Sequence, residues 1–246
     1  MVQFWRRYLD GIPEYLARHY WWAYLSPRGV WFFDHQTIIS LILFGQYRAI
    51  LDEVMRRYAA APSPCTLQLT CAYGALTPSL ATSPGTGELH LMDAAAIQLR
   101  AARRKIPSPA KPVLYARIDA ESLAYADDSF DTVIIFFLLH ELPPKARERA
   151  LHEALRVLKR GGRLLIAEYA ANKGKHLLHR LPSVRKLLEY LEPFLRDFWH
   201  SDLHTLLEKT SLDNRKAFAS QDEAQLFGGF YRILEYRVQQ PKDHGE

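Results

Sequence analysis

Three groups of side chains in this sequence have the type and position to do chemistry at strand ends. Asp93 closes a short apolar run, Glu88 to Asp93, and its carboxylate, with Ala94 beside it, can accept from both hydroxyls of a ribose. Asp119-Ala120-Glu121 closes another run and could receive an adenine amino group. Thr70-Cys71-Ala72-Tyr73-Gly74 follows a first run that contains Gln68, beyond the carboxyl end of a strand, where ligands sit in open α/β sheets. Acids at strand ends also serve as helix caps. The inference therefore rests on the three features occurring in order, not on any one of them.

The elements that must position these groups alternate short apolar runs with helical patterns, which is how a parallel sheet with crossover helices is written. Strands are predicted over Cys65 to Thr70, Glu88 to Asp93, Val113 to Ile118, Phe130 to Leu139 and Arg163 to Ala170. The fourth run is so continuously apolar that it must be covered on both faces. Helices are predicted over Ala94 to Ile106 and from Pro143-Pro144 to Arg160, the latter stopping at Gly161-Gly162. Lys173 to Trp199 is a basic, leucine-rich helical stretch broken by Pro182 and Pro193. Asp202 to Thr210 is a short helix, and Lys216 to Ser220 can pair with Phe230 to Val238 as a hairpin. The expected organisation is one domain: a helical aromatic cap over 1–60, a core over 61–170, a helical insertion over 171–200 and a closing helix and hairpin over 201–246.

The chain has 246 residues, 48% hydrophobic and 24% charged, which is ordinary globular composition with enough apolar material for a sizeable core. Two cysteines, Cys65 and Cys71, are too few for a disulfide framework, and no signal pattern opens the chain, so a cytoplasmic setting is expected. The uncharged runs Ile38 to Gly45 and Thr132 to Leu139 fall short of the roughly 20 residues a spanning helix needs. A net charge of +5 favours anionic partners. Nucleic acid is not expected among them, because no zinc-finger or RNA-binding signature occurs and the fourth strand is followed by His140-Glu141-Leu142-Pro143, not by a target-base motif such as Asn-Pro-Pro-Tyr. Four of the five tryptophans, Trp5, Trp21, Trp22 and Trp31, crowd the first 31 residues.

The runs Ile118-Asp119-Ala120-Glu121-Ser122-Leu123, Asp127-Asp128-Ser129-Phe130-Asp131 and Leu155 to Leu164 resemble the class I S-adenosylmethionine-dependent methyltransferases, particularly the ubiquinone and menaquinone C-methyltransferases of the UbiE type. That resemblance implies a doubly wound, Rossmann-like α/β fold with a seven-stranded, mostly parallel sheet, and S-adenosylmethionine as cofactor. One departure stands out: those enzymes carry Asp-x-Gly-x-Gly-x-Gly where this chain has Gln68-Leu69-Thr70-Cys71-Ala72-Tyr73-Gly74, so only Gly74 survives. Replacing the acid by Gln68 removes a negative neighbour of the methionyl ammonium, which favours the free amine.

With that altered loop, Tyr20-Trp21-Trp22-Ala23-Tyr24, Trp31-Phe32-Phe33-Asp34-His35 and Phe44-Gly45-Gln46-Tyr47-Arg48 are similar to the RquA-like rhodoquinone biosynthesis family. This second resemblance implies replacement of a methoxy group of ubiquinone by an amino group, with S-adenosylmethionine as amino donor and manganese as a Lewis acid. On that reading Asp34, His35, His140 and Glu141 are the candidate ligands for Mn2+, and Tyr73 adds a phenol to the catalytic pair His140 and Glu141. The competing reading is that His140-Glu141 merely caps the following helix and that His35 is a satisfied core histidine. The rival functions are quinone C-methylation and non-catalytic cofactor binding. Because ubiquinone lies in the bilayer, a peripheral position at the inner membrane surface is expected. Lys173, Lys175, Arg180, Arg185 and Lys186, with the leucines between them, and the tryptophan-rich cap are the contact candidates.

Overall fold

A computed structural model describes residues 11–106, 108, 109, 111–171 and 176–240. Seven strands form one sheet in the order β3-β2-β1-β4-β5-β7-β6. They are β1 (Ser63–Leu69), β2 (Thr86–Met92), β3 (Val113–Ala116), β4 (Phe130–Phe136), β5 (Leu158–Tyr169), β6 (Phe218–Leu226) and β7 (Tyr231–Val238). β1 pairs in parallel with both β2 and β4, β4 with β5, and β7 runs antiparallel to β5 and β6. The chain winds outward from β1 to β3, then restarts on the other side at β4, so the strand order reverses between β1 and β4. A ligand site is expected beyond the carboxyl ends of the strands at that point.

Four short helices form the cap: α1 (Glu14–His19), α2 (Pro27–Phe33), α3 (Gln36–Ile42) and α4 (Tyr47–Ala59), with a π-helical turn at Trp21–Leu25. Trp5 lies outside the described residues. α4 buries Tyr47, Ile50, Leu51, Val54 and Tyr58 at helical spacing. Its last turn is tied to the sheet by Arg163 of β5, whose guanidinium donates to the carbonyls of Arg57 (3.0 Å), Tyr58 (3.1 Å) and Ala61 (2.8 Å). Carbonyls at a helix end are the ones left without internal donors. The apolar core runs continuously from Ile39 of the cap to Val238 of the last strand.

The remaining helices are α5 (Leu76–Thr82), α6 (Ala96–Lys105), α7 (Pro144–Val157), α8 (Leu177–Arg180), α9 (Pro182–Leu191), α10 (Leu195–His200) and α11 (Leu203–Asp213). Two expectations need correction. The helix from Pro144 ends at Val157, and β5 begins at Leu158; Gly161-Gly162 lies inside that strand, where the β4–β5 register shifts and Gly161 takes φ +77°. The left-handed glycine lets the strand bulge where a helix stop was expected. The hairpin is also longer than predicted, because β6 extends to Leu226 and turns through Gly228 and Gly229, both at positive φ. The stretch expected as one broken helix divides into α8, α9 and α10, with Pro182 at the first position of α9, where its missing N–H costs nothing.

Candidate active site

β1 stops at Leu69 because Thr70 takes φ +68°, a left-handed conformation that a β-branched residue adopts only under strain. The strand-end acid of β2 holds the loop that follows. Asp93 Oδ2 accepts from the Cys71 N–H (3.0 Å) and Oδ1 from the Ala95 N–H (2.8 Å). Burial pushes the Asp93 carboxyl up to about 6, against the lowering effect of those two donors. Each oxygen keeps acceptor capacity, and Asp93 and Ala94 line a large cavity together with Thr70, Cys71, Ala72 and Tyr73. Asp119 and Ala120 line it too, Asp119 Oδ1 accepting from the Glu121 N–H at 3.0 Å. Glu121 is not brought to the cavity wall; its carboxylate pairs with Arg149 of α7.

Gln68 is also absent from that wall. Its side chain is fully buried, donating from Nε2 to the Thr70 carbonyl (3.1 Å) and accepting at Oε1 from the Thr77 hydroxyl (3.1 Å). It braces the turn from β1 into α5, so its effect on a methionyl amine acts through the loop and not by contact. Gly74 is needed for a different reason. At φ +80° its Cα lies so close to the cap that an added Cβ would fall 2.4 Å from Tyr47 Oη and 2.9 Å from Ile39 Cδ1.

The cap is stapled to this loop by Asp34. Asp34 Oδ1 accepts from the Gly74 N–H (3.0 Å) and from Lys105 Nζ (2.7 Å), and the same ammonium donates to the carbonyls of Gly74 (3.0 Å) and Ala72 (3.3 Å). His35 lies 2.6 Å from the Trp31 carbonyl through Nδ1 and lines an outer groove with Trp31, Arg100 and Arg104. The expectation that Asp34 and His35 join His140 and Glu141 around one metal therefore does not match the geometry. Asp34 is committed to a lysine, and His35 faces a different groove.

His140 and Glu141 ride on a 3₁₀ turn, Leu139–Glu141, entered through Phe137 at φ +52°. Arg147 of α7 fixes that turn by donating to the carbonyls of Leu139 (2.8 Å) and Leu142 (3.0 Å). Glu168 of β5 fixes it from below: Oε1 accepts from the Leu139 N–H (2.6 Å) and Oε2 lies 2.9 Å from His140 Nδ1. Burial alone would lower the His140 pKa, but the Glu168 carboxylate outweighs it and carries the imidazole up to about 9. With Nδ1 engaged, Nε2 is the ring nitrogen left for a ligand.

Glu192, just after α9, completes the group. His140, Glu141 and Glu192 offer ligand atoms that all lie within 4.8 Å of one another. Burial, then repulsion from Glu192, raises the Glu141 carboxyl, and burial likewise raises Glu192. Tyr24 donates its hydroxyl to Glu141 Oε1. Glu192 Oε2 and Tyr20 Oη are buried and face one another without a well-formed hydrogen bond, and both residues line the cavity. One nitrogen and two carboxylates there are a donor set that suits a manganese-class cation.

Tyr73 enters the cavity by its ring, not by a free phenol. Its hydroxyl donates to the Ala23 carbonyl (2.7 Å) and accepts from Gln98 Nε2 (2.8 Å), while the ring stacks on Tyr24 at 5.5 Å and 8°. Burial raises this phenol far above its usual range. The residues that sequence reasoning missed are Tyr20, Tyr24, Glu168 and Glu192. Only Glu168 leaves a signal, as an acid inside the otherwise apolar run Leu164 to Ala170.

Residues 66–162 match the family described as a methyltransferase domain. The chain is 35% identical over 138 residues to a demethylmenaquinone methyltransferase of Lactiplantibacillus plantarum, covering 55% of this chain and 57% of that protein. It is 28% identical over 217 residues to the ubiquinone/menaquinone biosynthesis C-methyltransferase UbiE of Pseudoalteromonas translucida, covering 81% of this chain and 84% of that protein. The chain thus spans little more than half the length of the first of these relatives. Among solved structures, a SAM-dependent methyltransferase from Methanosarcina mazei superposes with a TM-score of 0.55 at 20% identity, over 77% of this chain and 98% of that one. The seven-stranded sheet therefore has the Rossmann-like fold seen in solved methyltransferases, and residues 66–162 within it are similar to a methyltransferase domain.

Proposed function

We propose that the chain binds S-adenosylmethionine at the strand-end side of the cavity and uses it on the headgroup of a quinone held on the cap side. The observation that carries this reading is that one cavity joins Asp93, Asp119 and the Thr70–Tyr73 loop to Tyr20, Phe137, His140, Glu141 and Glu192. Asp93 suits ribose hydroxyls and Asp119 an adenine edge, while the apolar and aromatic wall suits a flat, uncharged ring. Two relatives are, by name, a demethylmenaquinone methyltransferase and a ubiquinone/menaquinone biosynthesis C-methyltransferase, which supports the substrate class.

The finer reading is exchange of a ubiquinone methoxy group for an amino group. Bound at this site, S-adenosylmethionine would supply the amino nitrogen and Mn2+, held by His140, Glu141 and Glu192, would polarise the quinone oxygen. Overall, a C–N bond would replace the C–O bond to methoxy, which would leave as methanol with a proton from the amine; release of the amino product would then break the nitrogen's bond to the donor α-carbon, a proton from the adjacent carbon passing to nitrogen and an alkene remaining on the donor. Glu168 keeps His140 oriented, and Tyr24 orients Glu141. C-methylation is the second reading, favoured by the names of the relatives.

Incubation with S-adenosylmethionine, Mn2+ and short-chain ubiquinone, or its demethylated precursor, followed by product mass, tests both. An amino-for-methoxy product is expected. A product heavier by one methylene would overturn the amino reading and leave the cofactor reading standing. Absence of any cofactor turnover would favour a binding protein.

We further propose that the quinone is drawn from a membrane surface. No helix is long and apolar enough to cross a bilayer, among the described residues. Trp21 (57% exposed), Trp31 (68%), Phe32, Leu41 and Ile42 project from the cap, and Trp22 and Ile42 also line the cavity. α9 adds Leu187 and Tyr190. Of the basic contacts expected beside it, Lys173 and Lys175 lie outside the described residues, and Arg185 pairs with Glu189 at 3.6 Å.

A further inference from the structure

A second group of ligand-type side chains lies toward the amino ends of β1 and β2, away from the cavity. Cys65 pairs with Glu88 in the parallel register, so the two side chains share a face of the sheet. His90, two residues along β2, projects on that same face. The Cys65 thiol, the Glu88 carboxylate and the His90 imidazole offer atoms within 4.8 Å of one another, and all three residues are half-buried. We propose that Cys65, Glu88 and His90 form a zinc-class divalent-cation site.

The surroundings hold the three groups in place. Tyr125 Oη lies 3.2 Å from His90 Nδ1, leaving Nε2 turned toward Glu88 Oε1 at 3.3 Å. The His90 ring is packed edge-on against Phe130 at 5.1 Å and Tyr125 at 5.4 Å. Cys65 is fixed through its backbone, whose N–H donates to Asp131 Oδ2 at 2.9 Å, which leaves its sulfur to the cation. Asp131 is itself occupied by Lys159 (3.0 Å), so it does not compete for the cation. Thiolate, imidazole and carboxylate are the donors zinc takes, and three protein ligands leave a fourth position open to water. An oriented imidazole with its second nitrogen hydrogen-bonded is the usual arrangement of a ligating histidine.

Cobalt(II) is the probe, because a thiolate ligand gives it a near-ultraviolet charge-transfer band. Titrated past two equivalents, so that the His140 group is also filled, it is expected to produce that band, zinc to abolish it, and Cys65→Ser to lack it while Cys71→Ser retains it. The His140 group contains no sulfur and cannot produce the signal. No band in the parent protein, or an undiminished band in Cys65→Ser, would overturn the site. Should Cys65→Ser not fold, alkylation of Cys65 in the parent protein decides: zinc is expected to slow it markedly, and an unchanged rate overturns the proposal.

Discussion

Asp93 and Glu192 face the same cavity but arrive there by different routes. Asp93 stands at the end of a strand whose place in the sheet follows from its own apolar pattern, and two backbone N–H groups hold its carboxylate. Glu192 follows a surface helix, reaches the cavity only because α9 and α10 fold back over the turn after β4, and keeps one oxygen without a well-formed hydrogen bond. The strand-end half of the cavity is thus finished by local structure, whereas the cap half, on the proposed reading, is completed by the cation. That contrast predicts where substitutions should act on binding and where on chemistry.

The largest effect is expected at the unfinished half. Glu192→Gln keeps the shape but removes a carboxylate from the group His140, Glu141 and Glu192. Metal-dependent turnover should fall by about 100-fold, the upper end of what loss of a metal-site partner costs. S-adenosylmethionine affinity, measured by calorimetry, should be unchanged. Equal turnover in the two proteins across a manganese titration would remove Glu192 from the site and with it the distinction between the halves.

At the finished half the expected loss is in binding. A hydrogen bond to a charged group is worth roughly 1.5–3 kcal/mol, so Asp93→Ala should weaken the cofactor by about 10- to 100-fold. Its pH dependence has a definite sign. The Asp93 pKa is raised in the folded chain, from 3.8 to about 6, so its carboxylate acceptor is lost as pH falls through about 6 and cofactor affinity should drop there. Stability runs the other way: the folded state favours the protonated group, so this contribution is present below about 4 and is lost as pH rises from about 4 to 6. Asp93→Asn should flatten both trends. Parallel changes in affinity and melting temperature would show that another group governs the window.

The same contrast explains what could be read from the sequence. Asp93 and Asp119 follow strands with period-two or continuous apolar patterns, so their position beyond the sheet could be inferred residue by residue. Gln68 could be placed on β1 but not oriented, because the direction of a buried amide depends on Thr70 and Thr77 across a turn. Asp34 and His35 are metal ligands by residue type, yet Lys105, 71 residues away, decides what Asp34 does. Glu192 and Tyr20 carry no periodic signal toward the cavity, since the packing of α1, α9 and α10 brings them there. Gly161-Gly162 has the composition of a helix stop, but the strand pairing of β4 with β5 overrides it.

The smallest effect on chemistry, and the sharpest on substrate supply, is expected outside both halves. Trp21 and Trp31 do not line the main cavity, yet they stand exposed on the cap beside Phe32 and Leu41. Trp favours the headgroup level of a bilayer, and basic residues near anionic lipid add about 1 kcal/mol each. Parent protein should therefore rise with anionic liposomes in a flotation assay. Trp21→Ser with Trp31→Ser should stay below, and so, more weakly, should a variant with alanine at Lys173, Lys175, Arg180, Arg185 and Lys186. Turnover of a water-soluble short-chain quinone should be the same in all three proteins, while turnover of a long-chain quinone embedded in vesicles should fall in the order of flotation. If the tryptophan variant floats and turns over the embedded quinone like its parent, the cap is a lid over the sheet and not a membrane contact. Loss with the basic variant alone would instead move the contact to α8 and α9.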